Sequence, residues 1–441
     1  MDVSKLFGEV KKKYGLQFDL KEHQIDTITA LLDKNDVSCV LPTGYGKSLC
    51  YVLPPLLLDE VDDTVERHIA LVISPLLSLI SDQKAHLDKF GIKSMMASHE
   101  HQINLSEIGN TSLIFTTPET LQTSAFRKIL AAKDFQKRLC LLACDEAHCV
   151  SEWGESFRPE YRHISSVRSI VDVPFLAATA TATQRVQDDI KEHLLLADDL
   201  VTVAVVPDRP SIFLTVEKCS ADNEKELQWL LDLLKETDFK TKTVVFCRSY
   251  NAVSLVWSHI VDSFNIHPSN SQLLKVEMFH ASTDSIKKEM IIDSFKSPES
   301  YVRVLVSTVA FGMGMSVPDI NLVVHWGAPH NALSYWQEVG RAGRLGQNAI
   351  AVMMAFPRSL MKTLTSEDVR ECVKGDVCIR KTILTRLLVD GMEQKDIPTT
   401  TPCVSLSCEK CFCEACLCCS VCLEACTCVG KMSSLEKLRL L

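Results

Sequence analysis

Short apolar runs recur along this chain with helical stretches between them, and that rhythm constrains the fold more than any other feature. Val37–Leu41, Ile69–Ser74, Leu113–Thr116, Leu139–Cys144 and Phe175–Ala178 are almost continuously apolar. A strand that alternates buries one face. A strand that is apolar throughout has helices over both faces, as in a parallel sheet. The rhythm pauses at VVPDRPSIFLTV (Val205–Val216), where two prolines and an extended Phe213–Val216 mark a crossing between domains. It restarts with Thr243–Cys247, Val276–Phe279, Val302–Thr308, Leu322–His325 and Ala349–Ala355. Strands alternating with helices, twice over, predict an α/β chain with two doubly wound parallel-sheet domains. From about Arg358 the strands stop, and a helical segment leads through a Pro/Thr stretch into a cysteine cluster.

The length of 441 residues fits two to four domains, at about 100–200 residues each. A hydrophobic share of 46% and a charged share of 23% exclude a disordered or collagen-like chain. No apolar run approaches the ~20 residues of a membrane span, so no membrane partner is expected, and the acidic start MDVSKLF does not read as a secretory signal. The net charge is −9, from 47 Lys and Arg against 56 Asp and Glu. A protein that holds nucleic acid by bulk charge is basic. Any nucleic-acid contact of this chain must therefore be local.

PTGYGKS, Pro42–Ser48, follows one apolar run and opens a helical one. Gly44 and Gly46 let the backbone curl so that its N–H groups face phosphate oxygens. Lys47 reaches the terminal phosphates, and the Ser48 hydroxyl ligates Mg²⁺. The helix N-terminus adds its positive dipole end. The full phosphate-loop pattern places glycine where this chain has Leu41, so the match is partial. Downstream, Asp145 and Glu146 stand at the end of LCLLAC. A carboxylate at that edge, beside a phosphate loop, holds Mg²⁺, and its neighbour orients and deprotonates the attacking water. Two solvated acids after a strand would be the ordinary reading of Asp-Glu alone; the preceding phosphate loop argues against it.

At DEAHCVSEWGESFRPEY, Asp145–Tyr161, the sequence resembles a RecQ-family DNA helicase, a superfamily-two motor with two RecA-like lobes. The resemblance runs from about Val3 to Phe356, with the motifs in the family's order. LKEHQ, ending in Gln24, resembles the nucleobase-reading motif. VISPLLSLISDQ (Val72–Gln83) and TTPE (Thr116–Glu119) resemble DNA-contacting motifs. AATATAT (Ala177–Thr183) resembles the segment that links hydrolysis to lobe movement. STVAFGMG (Ser307–Gly314) and QEVGRAGR (Gln337–Arg344) resemble the motifs of the second lobe, and VVFCRS is the weakest match.

The resemblance implies residues 1–207 as the first lobe, 208–357 as the second, 358–430 as a helical cysteine-rich zinc-binding segment and 431–441 as a tail. It implies ATP and Mg²⁺ between the lobes, with Gln24, Thr43, Gly44, Gly46, Lys47, Ser48 and Asp145 binding the nucleotide and its metal. Catalysis is implied for Lys47, Asp145, Glu146, His148, Gln337, Arg341 and Arg344. The expected partner is DNA, single-stranded and forked duplex, with 3′–5′ unwinding in repair and recombination. The nucleus is implied for a eukaryotic chain and the cytoplasm for a prokaryotic one.

Two further features carry weight without the family. An arginine delivered from a second lobe stabilises charge on the transferring phosphate and makes hydrolysis depend on closure. Arg341 and Arg344, three apart, would share one face of a helix. Such a pair is usually a solvated face, but Gly340 and Gly343 weaken a helix and point to close approach instead. Trp153, Phe157 and Tyr161 recur every four residues, a spacing that usually marks a buried helical stripe. Gly154 and Pro159 interrupt it. Exposed aromatics with Arg158 stack on unpaired bases, and the resemblance assigns Trp153, Phe157 and Arg158 to sensing single-stranded DNA.

The chain has 19 cysteines, ten of them between Cys403 and Cys428. The upstream ones sit mostly in apolar runs and read as reduced core residues. Without a secretory signal the clustered ten read as metal ligands, not disulfides. The family's zinc module implies Cys378, Cys416, Cys419 and Cys422, the last three spaced C-x2-C-x2-C, as a closed Zn²⁺ site. Cys408, Cys411, Cys413, Cys426 and Cys428 compete for that role, and a second zinc is open. The family's winged-helix and C-terminal nucleic-acid-binding domains are not expected within these residues. A DNA-stimulated ATPase without strand separation, and a non-enzymatic zinc-dependent scaffold, are the alternative readings.

Overall fold

The computed structural model describes residues 2–62, 67–98, 108–153, 158–220, 223–266, 273–297, 299–308, 317, 319–401, 403, 411, 413–428, 430, 432–433 and 436–437, with Trp153 described by its backbone alone. The chain forms two compact units: Met1–Pro207 with Leu388–Glu393, and Asp208–Leu387 with Gln394–Leu441.

The first unit is built on seven strands: β1 (Val37–Val40), β2 (Ile69–Ile73), β3 (Ser94–Ala97), β4 (Leu113–Thr116), β5 (Leu139–Asp145), β6 (Phe175–Thr179) and β7 (Val201–Ala204). They lie in the order β3-β4-β2-β5-β6-β1-β7, each pair parallel. The five central strands are buried almost throughout, as expected of a sheet with both faces covered. The edge strands β3 and β7 were not evident in the sequence. Both are short and half-buried, so neither presents a continuous apolar run.

The second unit has six parallel strands: β8 (Ile212–Lys218), β9 (Thr243–Cys247), β10 (Val276–Phe279), β11 (Val304–Ser307), β12 (Leu322–Trp326) and β13 (Ala349–Ala355). Their order is β10-β11-β9-β12-β13-β8. The extended Phe213–Val216 thus belongs to edge strand β8. Beyond it the cysteine-rich segment covers that edge: the short helices Glu414–Cys418 and Ser420–Ala425 pack on β8, and Leu214 bridges to Cys419. Covering an edge removes a row of unpaired backbone groups that would otherwise invite another strand. Leu388–Glu393 belongs to the first unit, where Asp390 N–H donates to Gln184 and Gln187 and its carboxylate pairs with Lys191 at 2.9 Å. Among the described residues no helix is long and apolar enough to cross a membrane.

Candidate active site and metal centre

Register brings three motifs to one edge of the first sheet. Val40 is level with Thr179, and Asp145 with Ala178. The phosphate loop after β1, the Asp145 segment after β5 and the AATATAT segment after β6 therefore emerge side by side. Carboxyl ends of parallel strands are where α/β folds bind ligands.

Thr43 through Ser48 form the turn between β1 and the helix Leu49–Leu58, with Gly44 at φ +82° and Gly46 at φ +93°. Gln24, on the helix Glu22–Leu32 and 2% exposed, grips this turn. Its Nε2 donates to the carbonyls of Tyr45 (3.0 Å) and Gly46 (3.1 Å), while its Oε1 accepts from Lys21 N–H at 2.8 Å. His23 Nδ1 lies 3.0 Å from the Tyr45 hydroxyl, and the Lys21 ammonium sits 4.1 Å from the centre of the Tyr45 ring. A Cβ on Gly46 would fall 2.6 Å from Gln24 Nε2. The Gln24 amide, expected to read a nucleobase, is here engaged with the phosphate loop.

Asp145 is 6% exposed. Its Oδ2 accepts from Gln83 Nε2 at 3.0 Å and lies 3.2 Å from the buried Tyr51 hydroxyl, which is itself 2.7 Å from Gln83 Oε1. Burial, and then the Glu146 charge, raise the Asp145 pKa above the usual aspartate value; Lys47 and the Gln83 bond act the other way. Glu146 takes φ +50°, a left-handed conformation that costs a non-glycine residue free energy and recurs at functional sites. Its N–H donates to Asp145 Oδ1 at 3.0 Å.

His148 Nδ1 lies 3.0 Å from the Thr179 hydroxyl, which donates to the Thr181 carbonyl at 3.1 Å. The Thr179 proton being committed there, the imidazole is the donor. Ala147 N–H donates to the Ala178 carbonyl at 2.9 Å. The Asp145 and AATATAT motifs are therefore joined by side-chain and backbone bonds.

Arg158 joins three more stretches. Its Nε donates to Glu119 Oε1 at 2.8 Å, its Nη1 donates to the Pro75 carbonyl, and its guanidinium lies 5.7 Å from the centre of the Tyr161 ring. Tyr161 is fully buried, so it packs in the core and is not an exposed platform. Trp153 ends the helix Cys149–Trp153; Phe157 lies outside the described residues.

In the second unit, Gln337 lies on the helix Ala332–Val339. Arg341 and Arg344 lie past its end, which corrects the shared helical face expected from their spacing. Gly340 caps the helix, and Gly343 at φ +61° turns the chain, its N–H donating to the Ile320 carbonyl at 3.0 Å. Arg209 holds this turn, donating to the carbonyls of Gly340 (3.1 Å) and Ala342 (2.7 Å). Nothing in the sequence marked Arg209, because a carbonyl acceptor has no side-chain signature. Of STVAFGMG, residues 309–314 lie outside the described residues.

Four sulfurs, those of Cys378, Cys418, Cys419 and Cys422, lie within 4.8 Å of one another. Cys378 Sγ is 3.6 Å from Cys418 Sγ and 3.9 Å from Cys419 Sγ. Thiolates around zinc, at about 2.3 Å from the metal, are about 3.8 Å apart, so the set fits a tetrahedral Zn²⁺. The set expected from spacing had Cys416 in place of Cys418. Cys416 and Cys419 would share a face of one continuous helix, but the helix Glu414–Cys418 ends there, Cys419 being extended at φ −158°, ψ 169°. The break sends Cys416 into a different group of sulfurs. Cys408 lies outside the described residues.

Residues 21–190 match the DEAD/DEAH box helicase family, and residues 225–346 match the helicase conserved C-terminal domain. The chain is 30% identical to the probable ATP-dependent DNA helicase RecS of Bacillus subtilis over 80% of its own length and 69% of that protein's. It is 32% identical to the ATP-dependent DNA helicase RecQ of Haemophilus influenzae, covering 79% of this chain and 53% of that one. With the ATP-dependent helicase wrn-1 of Caenorhabditis elegans the identity is 33%, over 77% of this chain and 31% of that one. The chain thus spans about a third to a half of the latter two. A structure of the helicase MrfA bound to DNA shares the fold at a TM-score of 0.63 and 22% identity, over 81% of this chain and 52% of that one. Mss116p bound to single-stranded RNA and AMP-PNP does so at a TM-score of 0.62 and 18% identity, over 85% and 79%. With two parallel-sheet units carrying these motifs in order, and a relative matched over two thirds of its length, the chain belongs to the RecQ family of superfamily-two helicases.

Proposed function

We propose that this chain is an ATP-driven DNA helicase that translocates on single-stranded DNA and unwinds duplex in the 3′–5′ direction, in DNA repair and recombination. The observation that carries the reading is the level placement of the phosphate loop, Asp145 and Glu146 along one sheet edge. Lys47 and the N–H groups of Thr43 through Ser48 hold the nucleotide phosphates. Ser48 and Asp145 hold Mg²⁺, which when bound neutralises charge on the phosphates. Glu146 accepts the proton of the attacking water; its strained backbone fixes the carboxylate relative to Asp145. His148, bonded to Thr179, passes the state of the site to the AATATAT segment. Gln337, Arg341 and Arg344 act on the transferring phosphate, and Trp153, Phe157 and Arg158 engage DNA. Cys378, Cys418, Cys419 and Cys422 hold a structural Zn²⁺. Action on DNA sets the compartment, the nucleus in a eukaryotic cell.

The test is ATP hydrolysis with and without single-stranded DNA, beside unwinding of forked duplexes tailed at either end. Turnover should rise on adding DNA, and only the 3′-tailed fork should open. Lys47→Ala should abolish turnover, Glu146→Gln should bind ATP without hydrolysing it, and Arg344→Ala should lose on the order of a thousandfold in rate. DNA-independent turnover would overturn the reading.

A further inference from the structure

The cysteines left over from the Cys378 set gather in a second place. The sulfurs of Cys411, Cys416 and Cys428 lie within 4.8 Å of one another, and so do those of Cys413, Cys416 and Cys426. Neither trio shares a residue with the Cys378 set. Within them Cys416 Sγ is 3.3 Å from Cys428 Sγ, and Cys413 Sγ is 3.7 Å from Cys426 Sγ. A disulfide brings its sulfurs to about 2.05 Å, well short of these separations. The spacing is instead near the edge of a thiolate tetrahedron around zinc, about 3.8 Å.

Two further observations point to a bound cation. Cys413 caps the helix Glu414–Cys418, and its sulfur accepts from Cys416 N–H at 3.4 Å, just as Cys378 accepts from Lys381 N–H at 3.4 Å in the four-sulfur set. Bonds of this kind orient and stabilise a thiolate ligand. Lys437, 6% exposed, donates to the Cys416 carbonyl and sits 4.7 Å from the centre of the Phe213 ring. Among the described residues it forms no ion pair with a carboxylate. A buried ammonium needs a nearby negative charge, and a divalent cation held by the three thiolates of either trio carries a net charge of about −1.

We propose that the Cys416 cluster is a second thiolate site for a zinc-type cation, distinct from the Cys378 site, and that it fastens the end of the described chain to β8. Cys411 N–H donates to the Gly430 carbonyl at 2.7 Å, so the two cysteine-bearing stretches are already joined. Cys416 belongs to both trios, so its loss empties the site whichever trio is filled.

The experiment is zinc content per chain of the full-length protein after dialysis against metal-free buffer, for the wild type, Cys416→Ser and Cys418→Ser. At least two equivalents are expected in the wild type, and three would mean both trios are filled around a shared Cys416. Cys416→Ser should lose at least one and keep one; Cys418→Ser should lose one and keep at least one. Because either variant could fold poorly, Co²⁺ is also titrated into metal-stripped wild type, with thiolate charge-transfer absorbance as the readout. That signal should keep growing past the first equivalent. One zinc per wild-type chain, saturation at one Co²⁺, or an unchanged count in Cys416→Ser overturns the proposal.

Discussion

Arg380 Nη1 donates to the Asp208 carboxylate at 2.6 Å. The same guanidinium donates to the carbonyls of Arg209 (2.8 Å), Ile212 and Cys418 (3.4 Å). Arg380 follows Cys378 by two residues, so one buried side chain ties the four-sulfur set to the strand entry at 208–212. Arg209 carries the connection onward to the turn that holds Arg341 and Arg344. The cysteine-rich segment therefore braces the arginines proposed for catalysis, through two guanidiniums and without a ligand.

Arg380→Ala should expose how much that brace matters. The Arg380 and Asp208 side chains are 6% and 15% exposed. Removing one partner of a buried pair typically costs about 3–5 kcal/mol. A lower melting temperature and a lower kcat are expected, with nucleotide affinity retained because the phosphate loop belongs to the first unit. Arg380→Lys should recover only part of the loss, since an ammonium cannot reproduce the planar fork of a guanidinium. A wild-type melting curve for Arg380→Ala would refute the bracing role.

Gln24 makes a second prediction. Its Nε2 bonds to two phosphate-loop carbonyls, each bond worth about 0.5–1.5 kcal/mol net. Gln24→Ala should weaken ATP binding by roughly tenfold, read by displacement of a fluorescent nucleotide. Gly46→Ala should be far worse, because its Cβ would meet Gln24 and its φ is positive. The double variant should not recover binding: removing Gln24 relieves the clash but leaves the backbone strain. Recovery would mean that the clash alone had been the defect.

Much of this was legible in the sequence. Every buried central strand was read from its apolar run, and the phosphate loop and Asp145–Glu146 from their motifs. Edge strands β3 and β7 escaped because half-buried strands carry no such run. The brace escaped because Arg209 and Arg380 act on backbone carbonyls, which any residue supplies. The four-sulfur set differs by one cysteine from the set the zinc module implied, because C-x2-C spacing assumes a regular helix through Cys419, and the backbone there is extended. Spacing reports which residues are near in the chain; a single break in a helix reassigns which of them meet.

Asp145 links activity to pH and stability. Its raised pKa means that the fold favours the protonated acid. That stabilisation is complete below the unfolded aspartate pKa, about 3.9, and is lost as pH rises through the folded value. Above the folded value the ionised, buried carboxylate is a net cost that bound Mg²⁺ would offset. Asp145→Asn should abolish hydrolysis and raise the melting temperature of the metal-free protein at neutral pH. The gain should shrink as pH falls through the folded pKa of Asp145. Thermal melts in chelator across that range check the sign; a variant less stable than wild type at neutral pH would be evidence that the Gln83 and Glu146 bonds outweigh burial.

Arg158 separates a structural role from a sensing one. Its guanidinium already pairs with Glu119 and reaches the Pro75 carbonyl, both in stretches that resemble DNA-contacting motifs. The pair is partly exposed, 20% and 27%, so its coupling should be small, ~1 kcal/mol or less. A double-mutant cycle of Arg158→Ala and Glu119→Ala measured by thermal melting should return that value. If Arg158 only holds the loop, both single variants should lower basal and DNA-stimulated ATPase in proportion. If it senses DNA, Arg158→Ala should keep basal turnover and lose stimulation, while Glu119→Ala, which frees the guanidinium, should retain it. Equal stimulation in wild type and Arg158→Ala would confine Arg158 to holding the loop in place.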